Sequence, residues 1–216
     1  MEIIRYAELK AQPWRNGSGV TRELARHSAA APAGDATVQD GAWDWQVSIA
    51  EVSKAGEFPS FPGMNRVLTV IDGELLLLNV DGGEHPLEKY RAFRFSGDAA
   101  SSGTLPTGDV RGLSVVTRSG AFKGYTSIIE LSKKRAHPVF EGQLGILLQG
   151  QATVSPGTAD EEPAGGTPAG DSPDAERIEL SRYDAVVGSD TATPEILGRG
   201  FLAVVSIDSV SGTVPD

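Results

Sequence analysis

Val67-Leu68-Thr69-Val70-Ile71 runs into Asp72-Gly73, and Leu75-Leu76-Leu77-Leu78-Asn79-Val80 follows after one residue. Both runs are short and apolar, and an Asp-Gly dipeptide between two such runs reads as strand, tight turn, strand. Asp81-Gly82-Gly83 closes the second run. The arrangement returns as residues 144–148, then Gln149-Gly150, then residues 151–154. No segment carries a sustained i, i+3, i+4 apolar stripe with caps, so low helix content is expected.

The two arrangements belong to an internal repeat. Leu87-Glu88-Lys89-Tyr90-Arg91-Ala92-Phe93 matches Leu180-Ser181-Arg182-Tyr183-Asp184-Ala185-Val186 as L-x-[KR]-Y-x-A-apolar. Arg111-Gly112-Leu113-Ser114-Val115-Val116 similarly matches Arg199-Gly200-Phe201-Leu202-Ala203-Val204-Val205 with one residue inserted. Gly73 and Gly150 are 77 residues apart, whereas the tyrosine blocks are 93 apart. The difference of 16 is close to the length of one extra loop, residues 156–175, in the second copy. A duplicated hairpin, strand and return strand predicts an all-β protein of two cupin-like barrels, a bicupin. The expected division is residues 1–125, holding the ligand pocket, and residues 126–216.

Composition agrees with a turn-rich fold. The 216 residues include 26 Gly and 13 Pro, a share of about 18% against the roughly 12% usual in globular proteins. Residues 156–175 hold five acidic residues, no basic ones and nothing large and apolar, so a mobile loop is expected there. Residues 28–41 read the same way. The loop supplies half of the formal net charge of −10, so acidity says little about the active surface. No Lys/Arg-rich run offers the basic face that nucleic acid requires. The first ten residues carry Glu2, Arg5 and Glu8 and lack the apolar core of a signal peptide. No apolar run approaches the roughly 20 residues of a membrane span. The reading is a cytoplasmic protein without nucleic-acid or membrane partners.

With no cysteine, thiolate metal sites, disulfides and cysteine nucleophiles are excluded. The histidines, His27, His85 and His137, stand 58 and 52 residues apart, and none has a neighbour at ligand spacing. No metal and no cofactor are expected. His85 and His137 abut prolines and read as loop residues, and His27 as a surface residue. Gly17-Ser18-Gly19 is neither a nucleophile elbow nor a phosphate loop.

Three polar clusters remain. Trp14-Arg15-Asn16-Gly17-Ser18-Gly19-Val20-Thr21-Arg22-Glu23 combines a flat apolar wall, an amide and glycines that admit a ligand close to the backbone. Phe58-Pro59-Ser60-Phe61-Pro62-Gly63-Met64-Asn65-Arg66 sets aromatics and an arginine at the entrance to the first hairpin. Thr117-Arg118 ends the strand that begins at Leu113. Arginines near strand ends are suited to gripping a carboxylate bidentately. The candidate ligand residues are Trp14, Asn16, Gly17, Gly19, Thr21, Ser48, Phe61, Arg66, Thr117 and Arg118. Arg66 and Arg118 are assigned to a ligand carboxylate, Trp14 and Phe61 to the walls, and Asn16, Thr21 and Ser48 to hydrogen bonds. Arg22 and Glu23 are assigned to a supporting ion pair. The second barrel has no comparable cluster, leaving it to bury the first barrel's face or to form a homodimer.

On these motifs the sequence resembles the HutD/Ves family of bicupin proteins, whose pattern runs W-[KR]-N-G-G-G-x-T-R-E, W-x-x-S-x-A, F-S-x-F-P-G-x-x-R and D-x-N-x-M-x-R-R. The first is matched by residues 14–23, the second by Trp45-Gln46-Val47-Ser48-Ile49-Ala50 and the third by residues 58–66. The resemblance runs from about residue 1 to 210. Ser18 replaces the middle glycine of the first motif. In the fourth, Gly112, Ser114 and Ser119 stand where the family has Asp, Asn and its second Arg. The resemblance implies a regulatory role in histidine utilisation, through binding of a small carboxylate such as formylglutamate or urocanate. Two other functions fit the residues: a metal-independent cupin enzyme acting on a small metabolite, with Glu23 as the nearby carboxylate, and an interaction module with a degenerate site.

Overall fold

The computed structural model describes residues 1–28, 43–157 and 177–210. Of the two stretches expected to be loops, residues 29–41 and 158–175 lie outside the described residues. The described residues form seventeen strands and one three-residue 3-10 helix, Tyr6–Glu8. The fold is all-β with low helix content. It divides into two compact units, one built on Leu9–Thr126 and the other on Ser127–Ser206 with Met1–Glu8.

In the first unit a six-stranded antiparallel sheet runs in the order Gln12–Pro13, Gly19–His27, Trp45–Val52, Val110–Arg118, Met64–Asp72, Ala92–Ser96. A four-stranded sheet runs Gly56–Glu57, Ser101–Thr104, Leu75–Val80, Gly83–Glu88. Alternate residues of a strand face opposite sides of its sheet. Ala50, Val52, Leu68, Val70 and Val110 therefore share one face, where they pack with Leu76, Leu78 and Leu87 of the smaller sheet and with Phe58 and Phe95. Fully burying each of these Val, Leu and Phe side chains contributes roughly 1.5–3 kcal/mol.

The sequence reading of a hairpin around Asp72-Gly73 is corrected here. Met64–Asp72 and Leu75–Val80 are both strands, but they do not pair; each belongs to a different sheet. The Asp-Gly dipeptide is a corner between layers. Its physical basis is that both runs have partners elsewhere: Met64–Asp72 lies between Val110–Arg118 and Ala92–Ser96, and Leu75–Val80 between Ser101–Thr104 and Gly83–Glu88.

The second unit is a seven-stranded sheet. Its main path runs Glu2–Ile4, Ala185–Val187, Gln143–Pro156, Pro194–Ser209, Phe122–Leu131; Ile178–Leu180 and His137–Pro138 join at its sides. The turn read at Gln149-Gly150 is also corrected, because Gln143–Pro156 is one continuous 14-residue strand. Gly150 (φ 99°) lies opposite Gly200 (φ 118°). A Cβ on Gly150 would lie 1.9 Å from the Arg199 carbonyl oxygen. Two glycines meeting face to face let the paired strands bend sharply, with the register shifting between Leu147 and Gln149, while the chain keeps its direction.

The repeat is visible in the backbone. Tyr90 and Tyr183, the tyrosines of the two matching blocks, both adopt left-handed conformations (φ 68° and 72°) that non-glycine residues rarely adopt. Their amides donate to equivalent carbonyls, Tyr90 to Val70 at 2.8 Å and Tyr183 to Leu147 at 2.6 Å. Val70 and Leu147 are separated by the same 77 residues as the two glycines.

Met1–Glu8 falls with the second unit, whereas the sequence reading placed it with the first. Glu2–Ile4 pairs with Ala185–Val187. Asp184, which is 1% exposed, accepts from Arg5 Nη1 at 2.6 Å and from the amides of Tyr6 (3.0 Å) and Ser181 (2.9 Å). A buried carboxylate satisfied in this way fixes the N-terminal segment where the acid lies.

Candidate ligand-binding site

The inward face of the first unit is apolar over most of its length and polar near one end. Register decides which polar residues meet. Glu23 lies opposite Ser48, and Ser48 opposite Ser114. Arg66, two residues before Leu68 on the same face, sends Nε back to Ser114 Oγ at 3.1 Å. The arginine is 3% exposed. Its guanidinium carbon lies 5.4 Å from the ring centres of Phe58 and Phe61 and 5.5 Å from that of Phe95. Nη1 is buried without a hydrogen-bond partner.

A buried cation with a carboxylate at hand would form an ion pair, since taking an uncompensated charge out of water is costly. Arg66 makes no ion pair among the described residues. Burial pulls its pKa down from the ordinary arginine value to about 10. The group still carries its charge at neutral pH. What holds it is the π-density of three rings and one hydroxyl, each worth far less than a carboxylate.

Phe58 and Phe61 also line a cleft of about 610 Å³, together with Trp14, Asn16, Thr21 and Gln46. Trp14 Nε1 donates to Thr21 Oγ1 at 2.8 Å, and the indole meets Phe58 edge-on at 5.3 Å. Trp14 and Phe58 thus pack against each other in the lining, and Arg66 lies against the Phe58 and Phe61 rings.

The remaining candidates are placed as follows. Asn16 supports the turn: its Nδ2 donates to the Glu57 carbonyl at 2.9 Å, and its Oδ1 accepts from the Ser18 amide and hydroxyl. Gly17 (φ 67°) belongs to that turn. A Cβ on Gly19 would lie 2.6 Å from the Glu51 carbonyl and 3.4 Å from the Trp14 ring, so this glycine seats the indole. Ser48 lies on the inward face, within the polar row.

Arg118 does not stand free for a ligand. Its Nε donates to Asp44 Oδ1 at 2.8 Å and its Nη2 to the Trp43 carbonyl at 3.0 Å. Thr117 is one residue out of phase with Ser114 and Val116 and so points to the opposite face. A Cβ on Gly124 would lie 3.1 Å from its methyl group. Arg22 and Glu23 do not pair with each other, because neighbours on a strand point to opposite faces. Arg22 pairs with Glu51, and Glu23 with Arg26.

Phe58, Phe95, Ser114 and Gln46 belong to the site although none stood among the candidates. Phe95 lies directly opposite Arg66 in the register, a non-local pairing invisible in the chain order. Phe58 and Gln46 stood inside the quoted motifs. The altered fourth motif is absorbed locally: Ser114 accepts from Arg66, Ser119 accepts from Asn65 at 3.3 Å, and the space above Gly112 is taken by Leu68.

Among the described residues no group of three or more His, Asp or Glu side chains could hold a metal ion. His85 lies within the strand Gly83–Glu88 and His137 within His137–Pro138, so neither is the loop residue that its proline neighbour suggested. No helix among the described residues is long and apolar enough to cross a membrane.

Comparison with known proteins decides the family. The HutD family model matches residues 6–204. The chain belongs to the HutD family. An uncharacterised 21.2 kDa protein from the region 3′ of hutC in Pseudomonas putida is 33% identical over 117 residues, covering 54% of this chain and 57% of that protein. Protein Ves of Citrobacter koseri is 32% identical over 132 residues, covering 60% and 64%. The matched region therefore spans about three fifths of each curated relative. HutD from Pseudomonas fluorescens SBW25, solved in a formate condition, superposes with a TM-score of 0.69 at 23% identity, covering 97% of this chain and 99% of that one. A cupin 2 conserved barrel protein from Leptotrichia buccalis gives 0.54 at 8% identity, covering 96% of each chain. The fold of this HutD family member is cupin-like and duplicated.

Proposed function

We propose that this HutD family member binds a small carboxylate metabolite, such as formylglutamate or urocanate, in its first barrel without a metal ion, and thereby regulates histidine utilisation in the cytoplasm. One observation carries the binding reading. Arg66 is a buried cation with no carboxylate partner among the described residues and an unpartnered Nη1, directly behind the Phe58 and Phe61 rings that line the cleft of about 610 Å³. A ligand carboxylate supplies the missing anion in a water-poor setting, where a charge-assisted bond is strong. Phe61 is partly exposed and lies over the guanidinium, so the ligand reaches Arg66 by displacing that ring. The family name and the hutC neighbourhood of the Pseudomonas putida relative support the histidine-utilisation context.

The test is a thermal-shift panel of formylglutamate, urocanate, histidine, glutamate and formate, with and without divalent metals. A ligand at a hundredfold excess over its dissociation constant adds about 2.7 kcal/mol of stability, or roughly 5–10 °C for a chain of this size. A shift with formylglutamate or urocanate that needs no metal is the expected result. A shift only with metal, or none with any compound, overturns the proposal.

A further inference from the structure

Glu23 is the second charged group of the polar row, and its carboxylate is held unevenly. Arg26 Nε donates to Oε2 at 3.1 Å, and Arg26 Nη2 and Gln46 Nε2 bond the same oxygen. Oε1 accepts from no described residue. Gln46 itself lines the cleft. One oxygen is therefore clamped while the other remains an acceptor fixed in direction, and an ionised carboxylate can take up to about four donors. Clamping removes much of the ordering entropy that a new hydrogen bond to Oε1 would otherwise cost.

Glu23 and Arg66 stand at opposite ends of one row. Glu23, Ser48 and Ser114 are directly opposed across three neighbouring strands, and Arg66 bonds the last of them. Arg66 lies one strand further on, so three strand spacings, about 14 Å at the backbone, separate it from Glu23, and the long inward side chains of both residues shorten the gap. The row thus offers an anion receptor at one end and a lone acceptor at the other.

From this we infer that Glu23 is a specificity-determining residue: the site selects a carboxylate whose far end bears an N–H donor, such as an imidazole, a formamide or an amine. The inference rests on the carboxylate-binding proposal and adds the second recognition element. The Arg66 end gives affinity for any small carboxylate. The Glu23 end discriminates, because a compound without the donor leaves a desolvated carboxylate oxygen unmatched.

Matched pairs of probes test it. Urocanate is compared with 3-(2-furyl)acrylate, which has a ring oxygen in place of the N–H, and N-formylglutamate with glutarate, by calorimetric titration. The wild type is expected to bind the N–H member of each pair at least tenfold tighter. In Glu23→Ala the preference falls to within twofold, mainly through weaker binding of the N–H member. Glu23→Gln, which preserves shape, checks that any loss is not one of folding, and unliganded melting curves of both variants confirm it. Equal affinity within each pair in the wild type, or a preference that survives in Glu23→Ala, overturns the role of Glu23 alone. Failure of all four compounds to bind overturns the carboxylate site as well.

Discussion

Replacing Arg66 with methionine gives the sharpest prediction, because most buried arginines would respond to it in the opposite way. Burial lowers the pKa from the ordinary arginine value to about 10, and at about 1.4 kcal/mol per unit this disfavours the charged form by an amount on the order of 3 kcal/mol. The folded value lies below the unfolded one. The penalty is therefore present in full below about pH 10 and is relieved only as pH rises from there toward the ordinary arginine value. Between pH 5 and 9 it is constant. Against it stand the Ser114 hydrogen bond and three cation–π contacts, which together return an amount of the same order, roughly 3 kcal/mol. Methionine fills similar volume, and its sulfur packs favourably on aromatic rings. The unliganded Arg66→Met protein should therefore melt within about 3 °C of the wild type or above it, a net change of no more than about 1 kcal/mol on the unfavourable side. An arginine whose ion pair stabilises the fold would instead cost about 3–5 kcal/mol on removal, a fall of roughly 10 °C or more. Differential scanning calorimetry at pH 7.5 separates the two. A fall of that size would refute the argument that Arg66, held without an ion pair, adds little net stability to the unliganded fold.

Other perturbations probe the frame. Gly150→Ala places a Cβ 1.9 Å from the Arg199 carbonyl at φ 99°; it should cost more than about 2 kcal/mol, read as a lower midpoint in urea. Asp184→Ala leaves Arg5 and two amides without their acceptor and should cost about 3 kcal/mol in the same assay. Burial and the neighbouring Arg135 hold the His137 pKa below its usual 6.5. The unfolded chain then binds more protons than the folded one, so stability declines as pH falls below 6.5, and His137→Gln should flatten that decline in melting curves taken between pH 5 and 7.

The sequence announced the duplication clearly. The tyrosine blocks, Leu87–Phe93 and their partner around Tyr183, are local words repeated, and the same left-handed tyrosine appears in both copies. Pairing was less legible. Asp72-Gly73 and Gln149-Gly150 look alike as dipeptides, yet one is a corner between sheets and the other a bend within a single strand. The deciding contacts, Gly150 against Gly200 and Met64–Asp72 against Val110–Arg118, come from distant residues that periodicity does not reach.

The site divides along the same line. The grouping of Trp14, Thr21 and Phe61 in one cleft lining, with Arg66 against the Phe61 ring, follows from motifs that are local in the chain. Arg118 was misassigned because its partner Asp44 lies 74 positions away. Thr117 and the Arg22–Glu23 pair were misassigned because adjacency in sequence means opposite faces on a strand. The row that joins Glu23, Ser48, Ser114 and Arg66 exists only once four strands are in register.

The central claim is that Arg66 receives the ligand carboxylate. Titration calorimetry of formylglutamate and urocanate into the wild type and into Arg66→Met tests it most directly. The account predicts metal-independent binding of at least one compound to the wild type and an affinity at least a hundredfold weaker in the variant. Equal affinity for the two proteins would contradict it.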